Sequence, residues 1–269
     1  MSNSYQIVVC GGIVPDPLQS LEPVSGPEGP GLKNEMMLPA VLDPWSAHAL
    51  YEAASLARNA PGSKIWLVSL SPKAKLQQVM MTIAQKVPFE LVAVDGPASG
   101  FTDSGEVAAS LAGAIKSIPG LDLSQLLVFG GWESASRGSG STMQTVGELL
   151  GIVDQFQGVD LLEVEDGGAI KILERVEGGL HQVSRCAGPP AVLGWATGSL
   201  PEPPNQPQVG MQNMRMIMPA LQKAQPAGLT AGAIEFRSAA APSHQRETRV
   251  VKDLSADEIA KELVDWIKG

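Results

Sequence analysis

The sequence predicts an α/β fold: a doubly wound, mainly parallel sheet with an antiparallel extension and a C-terminal arm that ends in a helix. Three observations carry this expectation. From residue 5 to about 151, short β-branched runs alternate with segments of helical period, the rhythm of parallel strands with helices packed on them. Beyond Gly151 the candidate strands are separated only by short turns, as in antiparallel pairs. From residue 225 onward an Ala-, Ser- and Pro-rich stretch leads into one amphipathic segment.

The first strand covers residues 6–10 and is too apolar throughout to have a wet face, as expected of a strand covered on both sides. Residues 11–31 hold ten Gly or Pro and read as an extended surface loop. Asp43-Pro44 opens a helix. The carboxylate accepts free N–H groups of the first turn, and proline at the first helical position sacrifices no hydrogen bond. Leu50, Ala53, Ala54 and Ala57 make its buried stripe. A second strand over 65–68 precedes a helix with Pro72 in its first turn and Leu76, Val79, Met80 and Ile83 on its apolar face.

Residues 89–94 form the third strand, backed by a helix that buries Val107, Leu111, Ala114 and Ile115. The fourth, 126–129, runs into Gly130-Gly131, a Ser/Gly-rich loop, and a helix carrying Met143, Val146, Leu149 and Leu150. Candidate strands follow at 159–164, 169–176, 180–185 and 191–195, with Gly167-Gly168 and Gly178-Gly179 supplying the positive backbone angles that tight hairpins need. Residues 198–210, rich in Pro, read as irregular, and the last helix opens with a capping box from Ser255 to Glu258 before a stripe of Ile259, Leu263, Trp266 and Ile267. This places an α/β domain at 1–225 and an extended arm with a docking helix at 226–269.

Composition excludes several function classes. The chain of 269 residues is 44% hydrophobic, which supports a core, and its formal net charge of −9 disfavours a broad phosphate-backbone surface and hence nucleic acid as a partner. No apolar run reaches the length of a membrane span. Cys10 and Cys186 cannot make a disulfide framework, and with His48, His181 and His244 in unrelated segments they offer no zinc spacing, so no metal is expected. The expected setting is soluble and reducing, cytoplasmic in a bacterium or the mitochondrial matrix in a eukaryote. The histidines read as ordinary surface residues, Cys10 as a small buried residue, and no acid–base or nucleophile arrangement is expected.

Three places could carry chemistry. The first is the loop of Ser134, Ser136, Arg137, Ser139, Gly140, Ser141 and Thr142, after a parallel strand and before a helix, where ligands of open sheets bind and free N–H groups face anions. Its glycines, hydroxyls and one positive charge suit a phosphate, although a plain flexible loop has the same composition and no Walker or dinucleotide spacing is present. The second is Asp43-Pro44-Trp45-Ser46, where Trp45 either stacks on a planar ligand or makes a structural or partner contact. In the third, Met211, Met214, Met216 and Met218 crowd ahead of Pro219, after a Pro-rich stretch and with no long helix expected, which favours partner contact over core filling.

Together these pieces resemble the β-subunit of electron-transfer flavoprotein. Cys10-Gly11-Gly12-Ile13-Val14-Pro15-Asp16 is similar to the family's opening Cys-x-Lys-Gln-Val-Pro-Asp. Asp43-Pro44-Trp45-Ser46 resembles its Asn-Pro-aromatic helix start, and Val68-Ser69-Leu70-Ser71-Pro72 its Val-Ser-x-Gly-Pro. The likeness continues through Glu177-Gly178-Gly179 and Pro190-Ala191-Val192-Leu193. It implies a doubly wound fold, an α-subunit partner that holds most of an FAD, and an AMP, or less often a second FAD, in this chain.

By position, the resemblance implies nucleotide contacts from Cys10, Asp43, Pro44, Trp45, Ser46, Leu70, Glu133, Ser134, Ser136, Arg137, Ser139, Gly140, Ser141 and Thr142, with Trp45 near the α-subunit's flavin. Met214, Met216 and Met218 match the family's dehydrogenase-docking loop, Met218 standing at its anchoring Leu. The departures are Gly12 for the family's Lys and Ser/Gly with Arg137 for its Asp-rich loop.

The implied function is therefore an electron carrier without bond-making catalysis of its own. It would take electrons from a flavin-dependent dehydrogenase other than the usual acyl-CoA type and pass them toward a quinone reductase or the respiratory chain. An adenine-nucleotide-binding stress-type or ATP-hydrolysing protein on the same sheet is the alternative, and a scaffold that has lost its nucleotide a third reading.

Overall fold

The computed structural model describes residues 4–26, 29–97, 99–229, 234, 237–240 and 250–268. The chain divides into two compact units, Met1–Ala239 and Ala240–Gly269. In chain order the first holds β1 (Gln6–Cys10), β2 (Ile13–Pro15), β3 (Pro23–Gly26), β4 (Gly29–Leu32), β5 (Ala40–Leu42), α1 (Pro44–Asn59), β6 (Lys64–Ser71), α2 (Lys73–Ile83), β7 (Glu90–Asp95), α3 (Ser104–Lys116), β8 (Leu126–Gly131) and α4 (Thr142–Leu150). There follow β9 (Gln155–Val164), β10 (Ile170–Arg175), β11 (His181–Cys186), β12 (Ala191–Trp195), α5 (Pro207–Gln222) and β13 (Gln225–Pro226). The second unit holds α6 (Ala256–Lys268).

The central sheet runs β11-β10-β9-β12-β8-β1-β6-β7-β13. Strands β12, β8, β1, β6 and β7 are parallel, β9 joins β12 in parallel, and β9, β10 and β11 pair antiparallel. The expected α/β fold with an antiparallel extension is thus observed.

Alternation along β1 and β8, each covered on both faces, explains why neither has a polar side. Ile7 and Val9 of β1, with Leu127 and Phe129 of β8, point into a core beneath α1, α2 and α5. Val8 and Cys10, with Leu126 and Val128, point into a second core beneath α3 and α4. Trp195 and Phe129, both without exposed surface, meet in the first core with ring centroids 5.4 Å apart and planes tilted by 60°.

Two segments differ from expectation. Residues 11–31 are not a plain loop. They contain β2, which pairs antiparallel with β5, and a β3–β4 hairpin, so the insertion folds back on itself. Residues 207–222, expected to be irregular and then a docking loop, form the 16-residue helix α5. Proline is tolerated at its start because that N–H has no helical acceptor, and Pro219 falls near its C-terminal end. The helix is held by its buried stripe of Gly210, Asn213, Ile217 and Leu221. A side chain at Gly210 would come 2.9 Å from Gln85 Cγ, and Asn213 donates from Nδ2 to the Ala84 and Val87 carbonyls at 2.8 Å each.

In the second unit the capping box is present. The Glu258 N–H donates to Ser255 Oγ at 3.4 Å, and in return the Ser255 hydroxyl at 2.6 Å and the Ser255 N–H at 2.9 Å donate to Glu258 Oε2, which holds the Glu258 carboxyl below its ordinary value. Helix α6 leaves Ile259, Leu263, Trp266 and Ile267 exposed. Among the described residues no helix is long and apolar enough to cross a membrane.

Candidate functional site

Strand order reverses between β1 and β8: the chain leaves β1 through α1 to reach β6 on one side and later returns through α3 to place β8 on the other. Loops that leave these two strands diverge, and a crevice opens at their carboxyl ends. It is walled by the Cys10–Val14 segment, the start of α1 at Asp43 and Ser46, Leu70 at the end of β6, and Gly131–Ser134, Ser136, Arg137, Ser139, Gly140, Thr142 and Met143. Ser99, Val107 and Leu111 complete it. The cavity volume is about 70 Å³. Small-molecule pockets typically measure roughly 300–1,000 Å³, so a ligand of nucleotide size enters only if the loops at the mouth draw apart.

Asp43 organises the site. Its carboxylate is almost wholly buried, with Oδ1 accepting from the Trp45 N–H at 3.2 Å and Oδ2 from the Ala135 N–H at 2.9 Å. One side chain therefore caps α1 and ties down the β8–α4 loop. Burial pushes its pKa up, against hydrogen bonds from Ala135, Ser134, Trp45 and Ser46 that pull it down. Beside it, Gly131 has no room for a side chain: a Cβ there would lie 2.8 Å from both the Glu133 carbonyl oxygen and Trp45 Cβ.

Arg137 closes the mouth. Its guanidinium donates to the Thr102 carbonyl at 2.9 Å, joining the β8–α4 loop to the loop before α3, and Ser104 Oγ meets Ser141 Oγ at 3.0 Å alongside. Arg137 Nε is buried and has no hydrogen-bond partner. Burial pulls the Arg137 pKa down, while the charges of Asp43 and Asp103 oppose this. Helices α1 and α3 carry Asp43 and Asp103 as side-chain caps, whereas α4 begins at Ser141 with no side-chain cap bond, leaving its first N–H groups free. Gly138 and Gly140 hold left-handed backbone at φ 61° and 62°, which bends the loop over this end.

The structure gathers most of the residues singled out in the sequence into this one cleft: Cys10, Asp43, Ser46, Leu70, Glu133, Ser134, Ser136, Arg137, Ser139, Gly140 and Thr142. Pro44 and Trp45 do not line it. Trp45 packs its Cβ over Gly131, and Ser141 is engaged with Ser104. Met214, Met216 and Met218 lie away from the cleft on α5, which packs on α2 and β7. Met214 is half-buried against the core, while Met216 and Met218 are exposed, and so is Met211. At 100° per residue Met211, Met214 and Met218 share one flank of α5 and Met216 takes the other, so these methionines do not form a loop.

Ser99, Val107, Leu111 and Met143 were not legible as site residues, because nothing in the sequence places α3 and the loop before it beside α4; the Asp103 cap was the available signal. Cys10 is buried and its thiol pKa is pushed up to about 12, so it is unreactive. His48 differs from a surface residue, since its Nδ1 is buried without a partner. His181 contacts Asp160 Oδ2 at 2.9 Å in a cluster with Arg175 and Thr197, and His244 lies outside the described residues. Among the described residues no group of His, Cys, Asp or Glu could hold a metal ion.

No curated protein matches the chain. The model of the electron transfer flavoprotein domain matches residues 34–233, a span that begins ahead of β5 and the α1 cap and runs through the whole β8–α4 loop to beyond α5. With a doubly wound sheet and a cleft at its switch point, the chain belongs to the electron transfer flavoprotein domain family.

Proposed function

We propose that this chain is the β-type subunit of a heterodimeric electron-transfer flavoprotein. It accepts electrons from a flavin-dependent dehydrogenase and passes them toward a quinone reductase or the respiratory chain. The observation that supports this most is the switch-point cleft, whose walls are the same helix starts that resemble the β-subunit's nucleotide contacts. FAD, held mainly by an α-subunit, supplies the redox chemistry when bound. The present chain contributes packing, a structural nucleotide and a docking surface.

The residues fit an adenine nucleotide such as AMP. The uncapped start of α4, the Ser134, Ser136 and Ser139 hydroxyls and the spare Nε–H of Arg137 suit its phosphate, and the apolar wall of Leu70, Val107 and Leu111 suits its base. Asp43 holds the Trp45 turn and the phosphate-side loop together, so Trp45 keeps its place over Gly131. Nothing in the cleft is arranged to activate a nucleophile, and the chain's role is to orient and to shield.

Coexpression with an α-subunit tests the reading. A yellow heterodimer that releases both FAD and AMP on heating, read by mass spectrometry, is the expected result. A colourless chain that binds no such partner refutes it, and turnover of ATP with Mg²⁺ favours the nucleotide-hydrolysing alternative.

A further inference from the structure

We propose that Arg137 is the specificity-determining residue of the cleft, selecting ligands that end in a phosphate monoester over the same ligands without one. The inference rests on the nucleotide reading above and adds what decides between ligands. Two carboxylates, Asp43 and Asp103, cap the helices at this mouth, and left alone they would repel a dianion. The Arg137 guanidinium feels the charge of both carboxylates.

Its hydrogen-bonding capacity is not used up. Guanidinium has five N–H donors, and a buried one left unmatched is costly. Nε is buried without a partner while the side chain lines the cleft. The bond it does make, to the Thr102 carbonyl, is to a neutral acceptor. A phosphate oxygen forms a charge-assisted bond roughly twice as strong, so the ligand can take Arg137 from Thr102 and open the mouth as it binds.

The loop carries Ser and Gly with Arg137 in place of the Asp-rich pattern of the family it resembles, so the charge sign at this point is a property of this chain. A neutral nucleoside must open the same clasp to Thr102 without gaining a charge-assisted bond from Arg137 in return.

Titration calorimetry of the full chain with AMP and with adenosine tests this. The wild type is expected to bind AMP at least about tenfold more tightly than adenosine, the scale of one hydrogen bond to a charged group. Arg137→Gln should remove most of that ratio by weakening AMP alone. Arg137→Lys, which keeps the charge but lacks Nε–H, should fall between, and it carries the test if the glutamine variant fails to fold by circular dichroism. Equal losses for AMP and adenosine, or AMP binding unchanged in Arg137→Gln, would overturn the proposal while leaving the nucleotide site standing. Failure of the wild type to bind either ligand overturns the nucleotide reading and this inference with it.

Discussion

Replacing Asn213 by alanine removes three interior hydrogen bonds in one step. Its Nδ2 group donates to the carbonyls of Ala84 and Val87 at 2.8 Å each, and its Oδ1 accepts from the Phe89 N–H at 3.4 Å. Asn213 is buried, and the other side-chain link from α5 to this turn is the long bond from Gln206 Nε2, at the helix N-cap, to the Lys86 carbonyl at 3.5 Å. Each unsatisfied buried group costs about 1–3 kcal/mol, and water entering the vacated space relieves part of the total. We expect a loss of about 3–5 kcal/mol, equivalent to a fall in Tm of roughly 6–20 °C for a domain of this size. Asn213→Asp keeps the volume and the acceptor for Phe89 but turns a negative charge onto two carbonyl oxygens, so its loss should be at least as large. Urea unfolding and thermal melts of the full chain, followed by far-UV circular dichroism, measure both variants. A loss below about 1 kcal/mol for alanine, or an aspartate variant more stable than alanine at neutral pH, would show that the asparagine does not anchor α5.

Four further outcomes are expected. Burial raises the folded-state pKa of Asp43, so its favourable contribution is full below the unfolded value of about 3.9 and is lost as pH rises through the folded value. The stability of the wild type relative to Asp43→Asn should therefore increase on acidification from neutral pH, and a pH-independent difference in urea midpoints would contradict this. Gly131→Ala forces a Cβ against Trp45 Cβ and the Glu133 carbonyl, and should cost about 1–3 kcal/mol in thermal melts and weaken AMP and adenosine alike. Phe129→Ala should cost about 3–5 kcal/mol in urea unfolding, since it empties the space beside Trp195. On α5, Met211→Asp and Met218→Asp should slow reduction by the partner dehydrogenase severalfold, and Met216→Asp on the opposite flank should not; stopped-flow rates that fall equally in all three would remove the flank assignment.

Where a segment is buried on both faces, the sequence speaks clearly. Residues 6–10, 65–68, 89–94 and 126–129 all lie in or within a residue of observed strands, because a continuous β-branched run has few other ways to hide. The cap at Asp43 was equally readable, since Asp-Pro acts within one turn. What escaped depends on distance. Pairing of β2 with β5 joins Ile13 to Leu42, and no local pattern announces it. Helix α5 was hidden by prolines that read as breakers, although one stands at its first turn and the other near its last. The cleft was half legible: the helix starts at Asp43 and Thr142 could be found from caps and hydroxyls, but their meeting through Ala135 and the clasp from Arg137 to Thr102 require the strand order.

Asp43 has one further consequence. Because its two oxygens grip different segments, the Trp45 turn and the loop that closes the cleft cannot shift independently. The carboxylate works as a pivot pin between the interior of this chain and its rim. Any molecule that wedges the loop outward must drag the tryptophan with it, and any neighbour that presses on the tryptophan tightens or loosens the loop. A shift of the loop at the cleft mouth and a shift of the Trp45 turn are thus two readings of one mechanical coordinate.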